Sequence, residues 1–466
     1  MKRAVPFLLT VCLLAPAHAQ APQPRKLDIS DLPSEKKQVF PYRTFQTDLP
    51  NGLRLVVVPT DFPRLVAMEV VMQVGSRNEI EAGRTGFAHF FEHMMFRGTP
   101  RFSPGKGRLL LKGFGISDNA WTWDDLTVFH KVFSTQDLEP VLDFEADRFQ
   151  NLKYTQDDLR TESRAVLGEF NKNSSDPQEK LREVLQATAF SRHTYKHTTM
   201  GFLADVENMP NQFDYSRQFF DRFYRPGNAT VVLVGDVDPD QALALVRRYF
   251  GTWKEGPPPP LIPPEPAPQG PKTAQVEWPT NTASWVTVAY HVPAYTDSGP
   301  ETAALRLIAS LAFSENSELY KKLVLRDSIV DRLEQESGYH RDPFLFCVSA
   351  RLKDSQKLLQ VTAALTAEFE RLGTVLVDEK QLRNVKSHLT YEFSLHLDNS
   401  QAIADALAVP IGLRRSPYTI NSLYQEIEKV TPEQLRDVAA RIFVPQGRVT
   451  VTLVRKPSNE PAAGER

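Results

Sequence analysis

The 466-residue chain is 41% hydrophobic and 24% charged, the balance of a globular protein with enough apolar content for two or more cores. Its 55 Lys and Arg nearly cancel its 57 Asp and Glu, which excludes the one-sign field that nucleic acid or an anionic membrane surface selects. Any chemistry has to come from a local site.

The chain opens with Lys2 and Arg3, an apolar run from Val5 to Leu14, and the small-x-small triplet Ala17-His18-Ala19. These are the parts of a cleavable secretory leader over 1–19, whose apolar run is too short to span a bilayer. The mature protein is therefore expected to be exported without a membrane span, to the periplasm of a Gram-negative bacterium. Cys12 leaves with the leader, so Cys347 in PFLFCVSARL is the remaining thiol and reads as inert strand core. A polar, Pro-rich extension follows over 20–39 and is expected to be disordered.

Asn51-Gly52 marks a tight turn, and the alternating run at 65–76 predicts a strand that leads through a polar loop into a helix over 86–97. That helix contains AHFFEHMMF (88–96). His89 and His93 stand one helical turn apart and point the same way, with Glu92 beside them. Two imidazoles so spaced can share one tetrahedral metal, and the carboxylate can take a proton from a water that the metal acidifies. Phe87, Phe90, Phe91, Met94, Met95 and Phe96 surround the three polar residues, and burying charge in such company calls for a cationic partner.

Further helices are predicted at 136–150, 155–171, 178–189 and 237–250. In the second of these, Thr155 and Asp158 resemble a capping box, and Leu159, Val166 and Phe170 set an apolar stripe on which Glu162 and Glu169 also fall. Inward carboxylates need protons, partners or a metal, so this helix offers the third ligand. His193 and His197 in HTYKHTTMGF read as structural or cleft-lining.

Residues 255–272, EGPPPPLIPPEPAPQGPK, predict a semi-rigid extended spacer between two blocks of similar size. The blocks look duplicated. FYRPGNATVVLVGDV (223–237) corresponds to IFVPQGRVTVTLVRK (442–456), and the strand at 65–76 corresponds to ASWVTVAYHVPA (283–294). Placing Phe96 on Phe313 puts Arg306, Ala309 and Ser310 in the slots of His89, Glu92 and His93, so the second block carries no metal site. The expected fold class is α+β, with two homologous domains (40–254 and 273–456), each a mainly antiparallel sheet layered with helices. The tail at 457–466 is expected to be disordered.

With His89, Glu92, His93, Glu162 and Glu169 in place, the chain resembles the insulinase/pitrilysin metallopeptidases, which include the mitochondrial processing peptidases. The resemblance implies that His89, His93 and Glu169 bind one zinc ion per chain, that Glu92 is the base, and that Glu162 supports the site from behind. GFGISDNAWTWDDLTVF (113–129) is similar to the family's strand whose edge pairs with an extended peptide substrate, so Asn119 and Ala120 are expected to line the cleft. Family members use an arginine, with a tyrosine seven residues later, to hold substrate. Arg326 fits the arginine in ELYKKLVLRDSIVDRLEQES (318–337), but Leu333 stands at the tyrosine position. The expectation is an exported zinc endopeptidase acting on peptides or unfolded segments. A homologous subunit bearing Arg and Tyr would complete it as a heterodimer, with a homodimer as the second choice. The alternative is a non-catalytic scaffold or binding subunit.

Overall fold

The computed structural model of the protein describes residues 38–456. The expected leader, most of the extension after it and the tail lie outside the described residues. The first half contains strands β1 Phe45–Asp48, β2 Arg54–Pro59, β3 Leu65–Met72, β4 Ser117–Thr122, β5 Thr127–Ser134 and β6 Ala229–Gly235. Its helices are α1 Phe87–Met94, α2 Pro104–Gly113, α3 Leu138–Asn151, α4 Gln156–Asn173, α5 Pro177–Ala189, α6 Leu203–Asn208, α7 Phe213–Phe223 and α8 Pro239–Phe250. The second half contains β7 Lys272–Trp278, β8 Trp285–Val292, β9 Val330–Ser337, β10 Phe344–Leu352 and β11 Arg448–Arg455. Its helices are α9 Pro300–Phe313, α10 Glu318–Tyr320, α11 Leu358–Leu372, α12 Glu379–Leu395, α13 Ser400–Arg414, α14 Thr419–Lys429 and α15 Pro432–Ile442.

The first sheet runs β1-β2-β6-β3-β5-β4 and the second β7-β11-β8-β10-β9. With β1 set aside, the two orders coincide strand for strand. In both sheets one pair is parallel, β2 with β6 and β7 with β11, and the other neighbours are antiparallel. The protein is α+β, built from two homologous domains, as the duplicated sequence predicts.

Both faces of each sheet are covered, which is why β3 and β6 read as nearly unbroken apolar runs. On β3, Val66, Met68, Val70 and Met72 enter one core with α1, while Ala67 and Val71 face the other way. The second face of each sheet is covered by a helix from the opposite half. α13 lays Ile403, Ala404, Leu407, Ala408 and Ile411 on Val56, Ala67, Val71, Val128 and Val232 of the first sheet. In exchange, α5 lays Leu181, Leu185 and Ala189 on Ala289, Leu345, Cys347, Val449 and Val451 of the second. Each fully buried aliphatic side chain in these layers contributes about 1.5–3 kcal/mol, so the halves share two hydrophobic layers.

Two sequence expectations change. Phe96 is 39% exposed, because α1 gives way to a 3-10 turn over Met95–Arg97 that carries the chain out to the surface. The Pro-rich segment is also anchored. The Glu265 carboxylate accepts the backbone amides of Ser191, Arg192 and His193 at 2.7–2.8 Å, together with the Ser191 hydroxyl. Proline removes the segment's own donors, and the one carboxylate in its middle instead fastens it to the first half.

Candidate metal centre and peptide cleft

Gly86, at φ 88°, starts α1 without a capping side chain. The free amides of its first turn are met from outside by Glu79, which accepts from Gly86 at 2.8 Å and Ala88 at 2.7 Å. Glu79 is fully buried, and burial pushes its carboxyl up to about 8 against the lowering effect of those two bonds.

One face of α1 opens onto a cleft, and the metal motif occupies it. The His89 and His93 rings meet edge to face with centroids 4.8 Å apart. α4 approaches across them, its N-terminus set by the reciprocal bonds between Thr155 and Asp158. Glu169 on α4 places Oε2 3.5 Å from His93 Nε2 and 3.7 Å from His89 Nε2. The donor atoms of these three residues all lie within 4.8 Å of one another. Tetrahedral zinc, with ligands near 2.0–2.2 Å, needs donors about 3.3–3.5 Å apart, so the three residues fit the ion nearly as they stand.

The surroundings prepare each donor. Burial, and then the neighbouring His93, drop His89 to about 4, leaving its imidazole neutral with a lone pair to give. His93 presents Nδ1 to Glu162 Oε1 at 3.0 Å, and this bond raises its basicity despite burial. Burial pushes the Glu162 carboxyl up, but the bonds from His93 and Arg97 outweigh it and hold it below its ordinary range. Arg97 Nε donates to the second Glu162 oxygen at 2.5 Å. A carboxylate on the far nitrogen of a ligating histidine fixes the ring's orientation and strengthens it as a donor.

Glu92 lines the same cleft beside His89 and Glu169, and Thr122 Oγ1 donates to Glu92 Oε2 at 2.6 Å. Burial raises its carboxyl, and the Thr122 bond offsets part of that rise. The cleft, about 380 Å³, is lined by His89, Glu92, Ala120, Thr122, Glu169 and Arg182 among others, with Glu336 and Phe344 of the second half opposite. A second cavity of about 450 Å³ adjoins Met95 and Phe96 and contains the buried Arg148.

β4 is the outermost strand of its sheet, so its free edge can receive an extended peptide. Ala120 lines the cleft, whereas Asn119 is exposed. His193 and His197 are both buried in structural contacts. His193 pairs with Asp342 at 2.9 Å, and His197 lies 3.8 Å from Glu79.

Arg326 is not brought to this site. It is 62% exposed, near Glu318 at 3.9 Å, and does not line the cleft. Leu333 is buried in the core of the second half. Sequence reading missed Glu79, Arg97, Thr122 and Arg182. Thr122 alone left a signal, since it follows Ala120 by one strand period; the others are placed by loops and by the crossing of α5.

The insulinase (peptidase family M16) model matches residues 55–202, and the model described as the M16 inactive domain matches residues 212–389. The chain belongs to the insulinase family of peptidases. Zinc protease PqqE of Helicobacter pylori is 27% identical over 366 residues, covering 77% of this chain and 81% of that protein. The mitochondrial-processing peptidase subunit beta of Caenorhabditis elegans is 25% identical over 466 residues, covering 92% and 94%. Among solved structures, a protease from Helicobacter pylori superposes with a TM-score of 0.82 at 25% identity, covering 89% of this chain and all of that one. The match to the inactive-domain model includes α9, where Arg306, Ala309 and Ser310 replace the metal motif.

Proposed function

We propose that this protein is an exported zinc endopeptidase that hydrolyses peptides or unfolded polypeptide segments. The observation that carries the reading is the convergence of His89, His93 and Glu169 within 4.8 Å, with Glu92 next to them on the same cleft. When bound, zinc supplies Lewis acidity that polarises a carbonyl and acidifies a water molecule. His89, His93 and Glu169 hold the ion, and Glu162 orients His93. Glu92 accepts the proton of the attacking water and returns it to the leaving amine, with Thr122 fixing which carboxylate oxygen faces the cleft. The substrate backbone lies as an added strand on β4, past Asn119 and Ala120, which favours extended or unfolded segments.

With Leu333 buried and Arg326 away from the cleft, no Arg/Tyr pair among the described residues lines the cleft. A homologous subunit bearing that pair completes the site in a heterodimer, with a homodimer as the second arrangement. The leader at 1–19 directs the chain to the periplasm. No helix among the described residues is long and apolar enough to cross a membrane. The same placement of Arg326 and Leu333 supports a second reading, a metal-binding but non-catalytic subunit of a peptidase-like complex.

Zinc content and cleavage of an internally quenched peptide separate these readings, measured with and without a co-purified homologous subunit. His93→Ala is expected to lose zinc, and Glu92→Gln to keep zinc while losing about 10²–10⁴-fold in rate. A fully active Glu92→Gln overturns the mechanism. Zinc binding without cleavage in every subunit combination favours the scaffold.

A further inference from the structure

The second half has no metal motif, yet its loop at 338–342 reaches the turn that joins β4 to β5 in the first half. His340 is buried there, its Nε2 3.0 Å from Asp124 Oδ2. The Arg341 amide donates to Asp125 Oδ2 at 3.1 Å, and Tyr195 donates its phenol to Asp125 Oδ1 at 2.8 Å. Asp342 accepts Arg77 Nε at 2.6 Å. From the other side, Ser76 Oγ donates to Asp124 Oδ1 at 2.9 Å, and the Arg77 amide donates to the Asp124 carbonyl at 2.8 Å.

The imidazole of His340 stacks on Phe344, with centroids 3.6 Å apart, and meets Trp123 at 4.7 Å. A Cβ at Gly75 would lie 2.2 Å from the Trp123 carbonyl, so only glycine lets the 75–78 loop close on the turn. Burial lowers the basicity of His340, but Asp124 and Asp125 outweigh it and favour the protonated ring.

The contacts of Asp124, Asp125 and Trp123 fall on a four-residue connection, closed by the Trp123 amide donating to the Leu126 carbonyl at 2.8 Å. The residue just before it is Thr122, the partner of Glu92. Catalytic groups lose rate steeply when misplaced by as little as about 1 Å, and loops with few holding contacts open most readily.

We propose that His340 and Asp124 form a clasp through which the metal-free half holds the β4–β5 turn, and with it the Thr122 hydroxyl, in register with Glu92. His340 is then a positioning residue for Glu92, and the second half is part of the catalytic apparatus of its own chain. The proposal rests on the reading of Glu92 as the base.

The test uses the full zinc-loaded chain, with any subunit it needs for cleavage, as wild type, His340→Ala and His340→Gln. Ile403→Ala serves as a control that loosens the contact between the halves at the far end of α13. Peptide kinetics are measured beside hydrogen–deuterium exchange of residues 122–127. His340→Ala is expected to keep its zinc, to lose about tenfold or more in kcat with KM within about twofold, and to exchange faster at the turn. His340→Gln, whose amide can still reach Asp124, recovers most of the rate. Ile403→Ala lowers the melting temperature with kcat unchanged. An unaltered exchange pattern at the turn in His340→Ala overturns the clasp whether or not the wild type cleaves. So does a fall in kcat that follows melting temperature alike in His340→Ala and Ile403→Ala. A zinc-loaded wild type that cleaves nothing while the exchange result holds overturns the peptidase reading instead.

Discussion

At the scale of single residues, the proposed site divides its labour between groups that would hold a metal and groups that orient them. Glu162 belongs to the second kind, with His93 on one oxygen and Arg97 on the other. Glu162→Gln keeps the shape but removes the charge that strengthens His93, so zinc affinity should fall about 10–100-fold, as read by competition with a chromogenic chelator. Thr122→Val removes the donor to Glu92 without changing volume. It should leave zinc affinity unaltered and lower kcat, and stopped kinetics beside a metal titration would show whether the two effects separate. The metal residues were legible in the sequence because an i, i+4 histidine pair and an inward glutamate stripe are local patterns. Arg97 and Arg182 were not, because what places them is the approach of a different element, and Thr122 was legible only as a same-face neighbour of Ala120, not as the partner of Glu92.

At the scale of elements, α1 depends on a cap it does not contain. Gly86 offers no side chain, and Glu79 reaches its first-turn amides from a loop. Glu79→Ala leaves those amides buried and unmet, a loss of about 1–3 kcal/mol measurable by chemical denaturation, and should also weaken zinc binding because His89 follows directly. The helix itself and its apolar faces were predictable from periodicity. Its start was not, since capping from a distant loop leaves no mark next to the helix. The Pro-rich segment shows the same limit, because its composition announced an extended chain but not that Glu265 ties it down.

At the scale of the whole molecule, the exchange of α5 and α13 makes each sheet depend on the other half. Leu407→Ala, in the layer between α13 and the first sheet, should cost about 2–5 kcal/mol and shift unfolding of both halves, as followed by calorimetry. The same layer contains Glu69, fully buried on β3. Burial, and then the nearby Asp405, raise its carboxyl well above its ordinary value. A carboxyl whose folded pKa is raised binds its proton more tightly in the native state. Its contribution is therefore complete below the unfolded value near 4.3 and is lost as pH rises toward the folded one, by up to about 1.4 kcal/mol per pH unit. Glu69→Gln should be more stable than wild type at pH 8 and close to it at pH 4, with melting curves at the two pH values as the check.

The sequence by itself determined the α+β class, the duplication, the grouping of His89, His93 and Glu169 beside Glu92, and the absence of that motif from the second half. Each of these is written in local periodicity or in residue type at a fixed spacing. The tertiary structure alone decided that the halves trade helices, that Arg326 and Leu333 stay away from the cleft, and that a loop of the metal-free half closes on the turn beside Thr122. Those contacts join residues far apart along the chain, as His340 and Asp124 are. Side chains that meet only when two sheets have formed leave no pattern along the chain.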